Sequence, residues 1–175
     1  MTFEELKVII PNAIESEWHQ HSNGGGWVKN TATVSDTVFV GPDALVYDDA
    51  RVHGNAKVFD NVRVYGRAKV RGHARIYGNA RVYGYAIVSD DTRVYGGVEV
   101  FGTAEVLGHA RVYGCARVHG YAEVRDYVEV FGDAEVFGDA EVCDNARVCG
   151  SIVVRGFAKV CDDVLICDSI EKASE

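Results

Sequence analysis

Leucine is scarce in this 175-residue chain: it occurs four times, beside two prolines and one methionine. A helical bundle draws its apolar stripe from leucine, methionine and alanine, so the composition argues against that class. No run of eighteen apolar residues occurs, and no membrane-spanning helix is expected. The N-terminus lacks the basic start and clean apolar stretch of a signal peptide, since Glu4, Glu5, Glu15 and Glu17 surround Val8, Ile9 and Ile10. The five cysteines are odd in number, show no CxxC zinc pattern and lack the spacing of a secreted disulfide scaffold. A reducing cytoplasm is the compartment this suggests. Positive charge is not in excess: the formal net charge is -8. That balance argues against broad nucleic-acid binding, so neither nucleic acid nor membrane is expected as a partner.

Valine and glycine are abundant, at 29 and 19 residues. Together they point to short strands punctuated by turns. Glycine does not recur every third residue, which excludes collagen, and a 47% hydrophobic content excludes disorder.

These residues are ordered by a repeat. From Ala32 through Ser169 the chain reads as 23 uninterrupted hexads, A-x-V-x-G-x. The third position, Val34 through Ile166, is valine or isoleucine in all 23, and the first is alanine in 16. The fifth is glycine in 14, aspartate in 8 and Pro42 once. Positions one and three lie two apart, so a strand points both to one side. The residue between them, usually Arg, Lys or Glu, then faces water. Glycine and aspartate tolerate the turn conformations that other residues resist. Each hexad is therefore a short strand and a bend, and three bends close a triangle of 18 residues. The 23 hexads give about 7–8 coils and a prism roughly 35 Å long.

The aliphatic-to-small spacing, as in Val34-Ser35-Asp36-Thr37-Val38, resembles that of the hexapeptide-repeat superfamily. The resemblance implies an all-β fold, a left-handed parallel β-helix, over residues 31–169. Residues 1–30 lie outside the register and read as an N-terminal capping segment. Thr2-Phe3-Glu4-Glu5 has the form of a capping box opening a short helix that Pro11 ends. Trp18 and Trp27 are candidates to cover the open core. Gly24-Gly25-Gly26-Trp27-Val28 resembles the glycine-glycine-aromatic lead-in of phage and prophage β-helix proteins and of YdcK-type bacterial proteins. Residues 170–175 read as a polar tail.

An 18-residue coil turns the fourth position of each hexad into columns. One column carries Phe59, Tyr77, Tyr95, Tyr113 and Phe131, followed by Cys149 and Cys167. A second carries Tyr47, Tyr65, Tyr83, Phe101, His119 and Phe137, and a third ends in Cys143 and Cys161. Such aromatic ladders either stabilise neighbouring coils or form a contact surface for a partner or another subunit. The stacked cysteines read as free thiols, because parallel Cβ vectors do not favour a disulfide.

Charge is polarised along the axis. Residues 50–85 hold eight Lys/Arg and one acid, among them Arg51, Lys57, Arg63, Lys69, Arg75 and Arg81. Residues 122–145 hold eight acids and one Arg, among them Glu123, Glu129, Glu135 and Glu141. Two readings follow: solvated strand faces, or antiparallel or staggered pairing of the basic half of one chain with the acidic half of another. Because like charges 18 residues apart repel within a chain, outside compensation is expected, and with it a homo-oligomer, dimer or trimer.

Many proteins of the resembled superfamily are acyltransferases that work through a histidine beside an extruded loop and carry a C-terminal helix. Here His53, His73, His109 and His119 all lie within regular hexads. A γ-class carbonic anhydrase pattern would use His73 and His109 but needs a third ligand where Gly114 stands. No catalytic residue, metal ligand or cofactor is assigned. The reading is a non-catalytic binding or scaffold β-helix, in its specific form a phage-encoded accessory or host-defence inhibitor in the host cytoplasm. The alternative is an acyltransferase-like enzyme with an intersubunit site.

Overall fold

The computed structural model describes residues 1–168; Ser169 and the expected tail at 170–175 lie outside them. Each hexad lays down a short strand, such as Arg51–Val52, Lys57–Val58 and Arg63–Val64. The strand one coil later pairs with it in parallel, 18 residues on: Arg51 with Lys69, and Val52 with Val70. The result is an all-β parallel solenoid of about eight turns. It has three sheets, of nine, eight and eight strands among the described residues. The first face carries strands at 45–46, 63–64, 81–82, 99–100, 117–118, 135–136 and 153–154. The second runs from Thr33–Val34 to Lys159–Val160, and the third from Phe39–Val40 to Leu165–Cys167. No described helix is long and apolar enough to cross a membrane.

The interior is filled as the hexad requires. Val52, Ala56, Val58, Val100 and Ala104 are wholly buried, and their equivalents in the other coils form one continuous core. Each buried valine contributes on the order of 1.5–3 kcal/mol. Alanine at the first position leaves room for the valine two residues on, so both fit within a narrow prism.

The fifth position makes the corner. Its glycines sit at positive φ, as do Asp48, Asp60, Asp90, Asp126, Asp144 and Asp162. Glycine serves there for two reasons, seen at Gly78: its φ is +77°, and an added Cβ would stand 2.9 Å from the Gly96 nitrogen in the next coil. Aspartate answers the same problem chemically. The Asp60 carboxylate accepts a hydrogen bond from the Gly78 N–H at 3.0 Å, and Asp90 does the same for Gly108.

At the N-terminus α1 (Phe3–Ile9) forms with the expected capping box: Thr2 Oγ1 accepts from the Glu5 N–H, and Glu5 accepts from the Thr2 N–H. Two strands then pair antiparallel, β1 (Trp18–Gln20) and β2 (Trp27–Lys29). β2 is the first rung of the first face, in parallel register with 45–46. The tryptophans do not cover the core end. Val28 points inward and joins the main core, so Trp27, one residue earlier, points outward. Trp27 packs with Trp18, Phe3, Leu6 and Leu45 in a separate cluster on the outside of the first face. The glycines before it allow a close approach: a Cβ on Gly24 would lie 2.3 Å from the Val40 carbonyl oxygen.

Two variants separate the corner requirements. Gly78→Ala places a Cβ against the next coil at positive φ and costs about 1–3 kcal/mol in urea unfolding. Gly78→Asp costs less, because its carboxylate can accept from the Gly96 N–H. Equal losses would refute the compensating role of the carboxylate.

Candidate functional site

The sequence-expected binding residues all stand on the outside of the prism, in columns whose members are one coil apart. Tyr47, Tyr65, Tyr83, Phe101, His119 and Phe137 form one stack, with ring centroids 4.5–5.0 Å apart. Phe59, Tyr77, Tyr95, Tyr113 and Phe131 form the other, at 4.8–5.1 Å. Neighbouring rings lie within 8° of parallel throughout. The rings cover one another's faces and are half-buried, so what they offer outward is mainly their edges. Guanidinium groups add to the stacks, Arg117 over Phe101 at 5.5 Å and Arg147 over Phe131 at 5.6 Å.

This packing changes the tyrosines' acidity. Burial, with the adjacent Tyr65 hydroxyl second, pushes the Tyr47 hydroxyl from its ordinary 10.0 up to about 12. Burial also raises Tyr65, Tyr77, Tyr83 and Tyr113. The folded state therefore favours the neutral phenol, and the unfolded chain ionises first.

On the first face Arg81, Glu99, Arg117 and Glu135 alternate in register. Arg81 reaches Glu99 at 3.4 Å, and Arg117 reaches Glu99 at 3.9 Å and Glu135 at 2.9 Å. On the third face Glu129 lies between Arg111 at 2.8 Å and Arg147 at 3.1 Å. On the second face Glu123 meets Arg125 at 3.1 Å, and Glu141 is held by Arg125 and by Lys159 at 3.2 Å. Hydrogen bonds from Arg125 and then Lys159 hold the Glu141 carboxyl below its ordinary range. Part of the expected outside compensation is thus supplied within the chain, because the columns alternate in sign from Arg81 to Glu135 on the first face and from Arg111 to Arg147 on the third.

The basic residues differ. Arg51 and Lys69 stack on the second face, and Lys57 and Arg75 on the third, where Arg93 continues the column. None of these five has an ion pair among the described residues. Arg93 was missed by counting basic residues only up to position 85; the 18-residue spacing from Arg75 identifies it. An open groove of about 430 Å³ lies among Thr31, Thr33, Asp49, Arg51, Arg67, Lys69 and Tyr85. A second, also about 430 Å³, lies among Asn23, Thr37, Phe39, Asn55, Lys57 and Phe59.

The cysteine expectation is corrected. Cys143 is disulfide-bonded to Cys161, and Cys149 to Cys167, each across a Cα–Cα distance of 4.6 Å. The stacked backbones bring the pairs inside the range a disulfide spans, which outweighs the parallel Cβ vectors. Cys115 is free and exposed. The Glu141 carboxylate, Cys143 and Cys161 lie close enough together to share an ion, but both sulfurs are committed to the disulfide and the carboxylate to Arg125 and Lys159.

The histidines stand in columns as well. Asp91 lies between His73 at 3.8 Å and His109 at 3.9 Å, all three on the surface, and His119 Nε2 meets Glu135 at 2.9 Å inside its aromatic stack.

Among known proteins, residues 74–96 match the family model described as "YdcK Beta solenoid repeat". No curated protein and no solved structure matches the chain.

The raised tyrosines predict an alkaline limit. Stability is fully present below pH 10 and is lost as the pH rises toward 12, read as the falling midpoint of denaturant unfolding. Tyr47→Phe removes the largest of these groups and flattens the decline; an unchanged slope in that variant would count against the burial account.

Proposed function

We propose that this β-solenoid repeat protein of the YdcK type is a non-catalytic binding scaffold that acts by protein–protein contact. The observation that carries this reading is the column Lys57, Arg75 and Arg93 on the third face, beside the ladder Phe59, Tyr77 and Tyr95. Three stacked cations lack an intrachain counter-charge among the described residues and run parallel to a row of aromatic edges. Both rows repeat at the coil spacing of ~4.8 Å. An extended acidic segment of a partner protein, with apolar side chains on alternate residues, would meet charge on one row and ring edges on the other.

The surface is also preorganised. The cations rise from strands whose backbones are hydrogen-bonded on both sides, so a partner meets spacing that is already set and ordering costs little beyond the side chains. The glycine-glycine-aromatic lead-in supports the narrower form of the proposal, a phage-encoded accessory or host-defence inhibitor.

The test is capture from nuclease-treated host lysate on immobilised full-length chain. The wild type should retain a protein partner that Lys57→Glu/Arg75→Glu/Arg93→Glu loses by at least about tenfold, the scale of one to two disrupted charge contacts. Equal retention by both, with the variant folded by circular dichroism, would sink the assignment of this surface.

A further inference from the structure

The first face pairs its charges from Arg81 to Glu135 and the third from Arg111 to Arg147; the second sets cations and acids on opposite sides of an apolar centre. Its outward column reads Thr33, Arg51, Lys69, Ile87, Glu105, Glu123, Glu141, Lys159. Arg51 and Lys69 lie on one side of Ile87 without an ion pair among the described residues, and so does Glu105 on the other. Glu123 and Glu141 share Arg125. Ile87 itself is half-exposed, and Tyr85 beside it is 57% exposed. From Arg51 to Glu123 a cationic stretch, an apolar centre and an acidic stretch make a surface complementary to itself when turned end for end.

We propose that two copies of this chain pair through the second face with their axes antiparallel, about a two-fold axis running along the strand that holds Ile87. That operation reverses the order of the rungs and preserves the direction of the strands. It sets Lys69 opposite the partner's Glu105 and Arg51 opposite the partner's Glu123, each pair occurring twice. Ile87 and Tyr85 meet their own copies at the centre, an apolar core inside a charged rim. The flanking columns fit the same operation: Arg67 faces the partner's Thr103, Asp49 the partner's Tyr121, and Arg71 the partner's Leu107, so no like charges meet there. A parallel pairing would put Arg51 on its own copy and Glu123 on its own copy, and repulsion excludes it. Six or seven rungs at ~4.8 Å by a strand width of ~15 Å give a footprint of roughly 500 Å² per copy. That lies toward the low end for specific association, so the dimer dissociates readily and responds to salt. The inference uses the second face and stands apart from partner binding on the third.

Sedimentation of the full chain tests it. A dimer is expected at low ionic strength, with dissociation strengthened at least about tenfold in about 1 M salt, where charges are screened within ~3 Å. Lys69→Glu and Glu105→Lys should each weaken the dimer by about tenfold or more, since each places two like-charge pairs in the interface. The combined Lys69→Glu/Glu105→Lys chain restores both pairs with reversed sign and should recover the dimer. Asp133→Lys, a charge reversal of equal size off this face, should leave it unchanged. A monomer at all concentrations would overturn the proposal. So would a dimer indifferent to salt, or failure of the combined variant to recover while folded by circular dichroism.

Discussion

Everything in this molecule depends on one constraint, the in-register parallel hydrogen bonding between coils. Alternate backbone N–H groups bond to carbonyls of the next coil, as Arg51 to Ala68 and His53 to Val70, so each residue of the solenoid lies over the one 18 positions on. The rise is fixed by the peptide group and not by the side chains. Valine therefore sits on valine, ring on ring, and charge on charge, whatever the chemistry at each position prefers. Inside, this is favourable wherever the stacked groups are apolar, since each gains from an apolar neighbour; Thr92, whose buried hydroxyl has no hydrogen-bond partner among the described residues, is an exception. Outside, the same rule can help or harm, and the order of residues within a column decides which.

The two kinds of outer column resolve this differently. Rings benefit from repetition, and the long stacks at 4.5–5.1 Å are its product. Ionised groups benefit only from alternation, which the chain supplies at Arg81, Glu99, Arg117 and Glu135. Isolated surface pairs of this sort contribute about 0–1 kcal/mol each, so their main effect is to relieve a repulsion that stacking would impose. Where alternation is absent, as at Lys57, Arg75 and Arg93 or at Arg51 and Lys69, the repulsion stands, and a bound anionic surface removes it. The basic stretches are thereby both a cost to the free chain and the source of its affinity.

Most of the fold could be read from the chain because the hexad states it: Val34 through Ile166 mark the inward side, and the glycines and aspartates mark the corners. The capping box at Thr2 and Glu5 was equally plain. The outward direction of Trp27 was available from the alternation with Val28, yet the antiparallel pairing of β1 with β2 was not, since it departs from the repeat. The ion pairs were obscured by counting charge along the axis. Sorted into three columns, the same residues alternate from Arg81 to Glu135 on the first face and from Arg111 to Arg147 on the third, while Arg51 to Glu123 on the second are divided by sign. The cysteine pairing depended on a balance between Cα separation and Cβ direction that spacing alone does not decide. Of the candidate surface, the residue types were legible and their partners were not, because partnership is a property of the column.

The hexad is the unit of the core, whereas the coil of three hexads is the unit of the surface. Removing a single hexad from the middle of the chain leaves every valine and alanine on its inward side, so the interior tolerates the loss. All later strands, however, advance by one third of a turn. Glu105, Glu123 and Glu141 would move to a different side of the prism from Arg51 and Lys69, and the aromatic stacks would break at the junction. Foldability is thus insensitive to hexad number, while the pattern displayed to the surroundings survives only insertions and deletions of whole coils. Variation in length that preserves whatever this surface recognises must come in steps of eighteen residues.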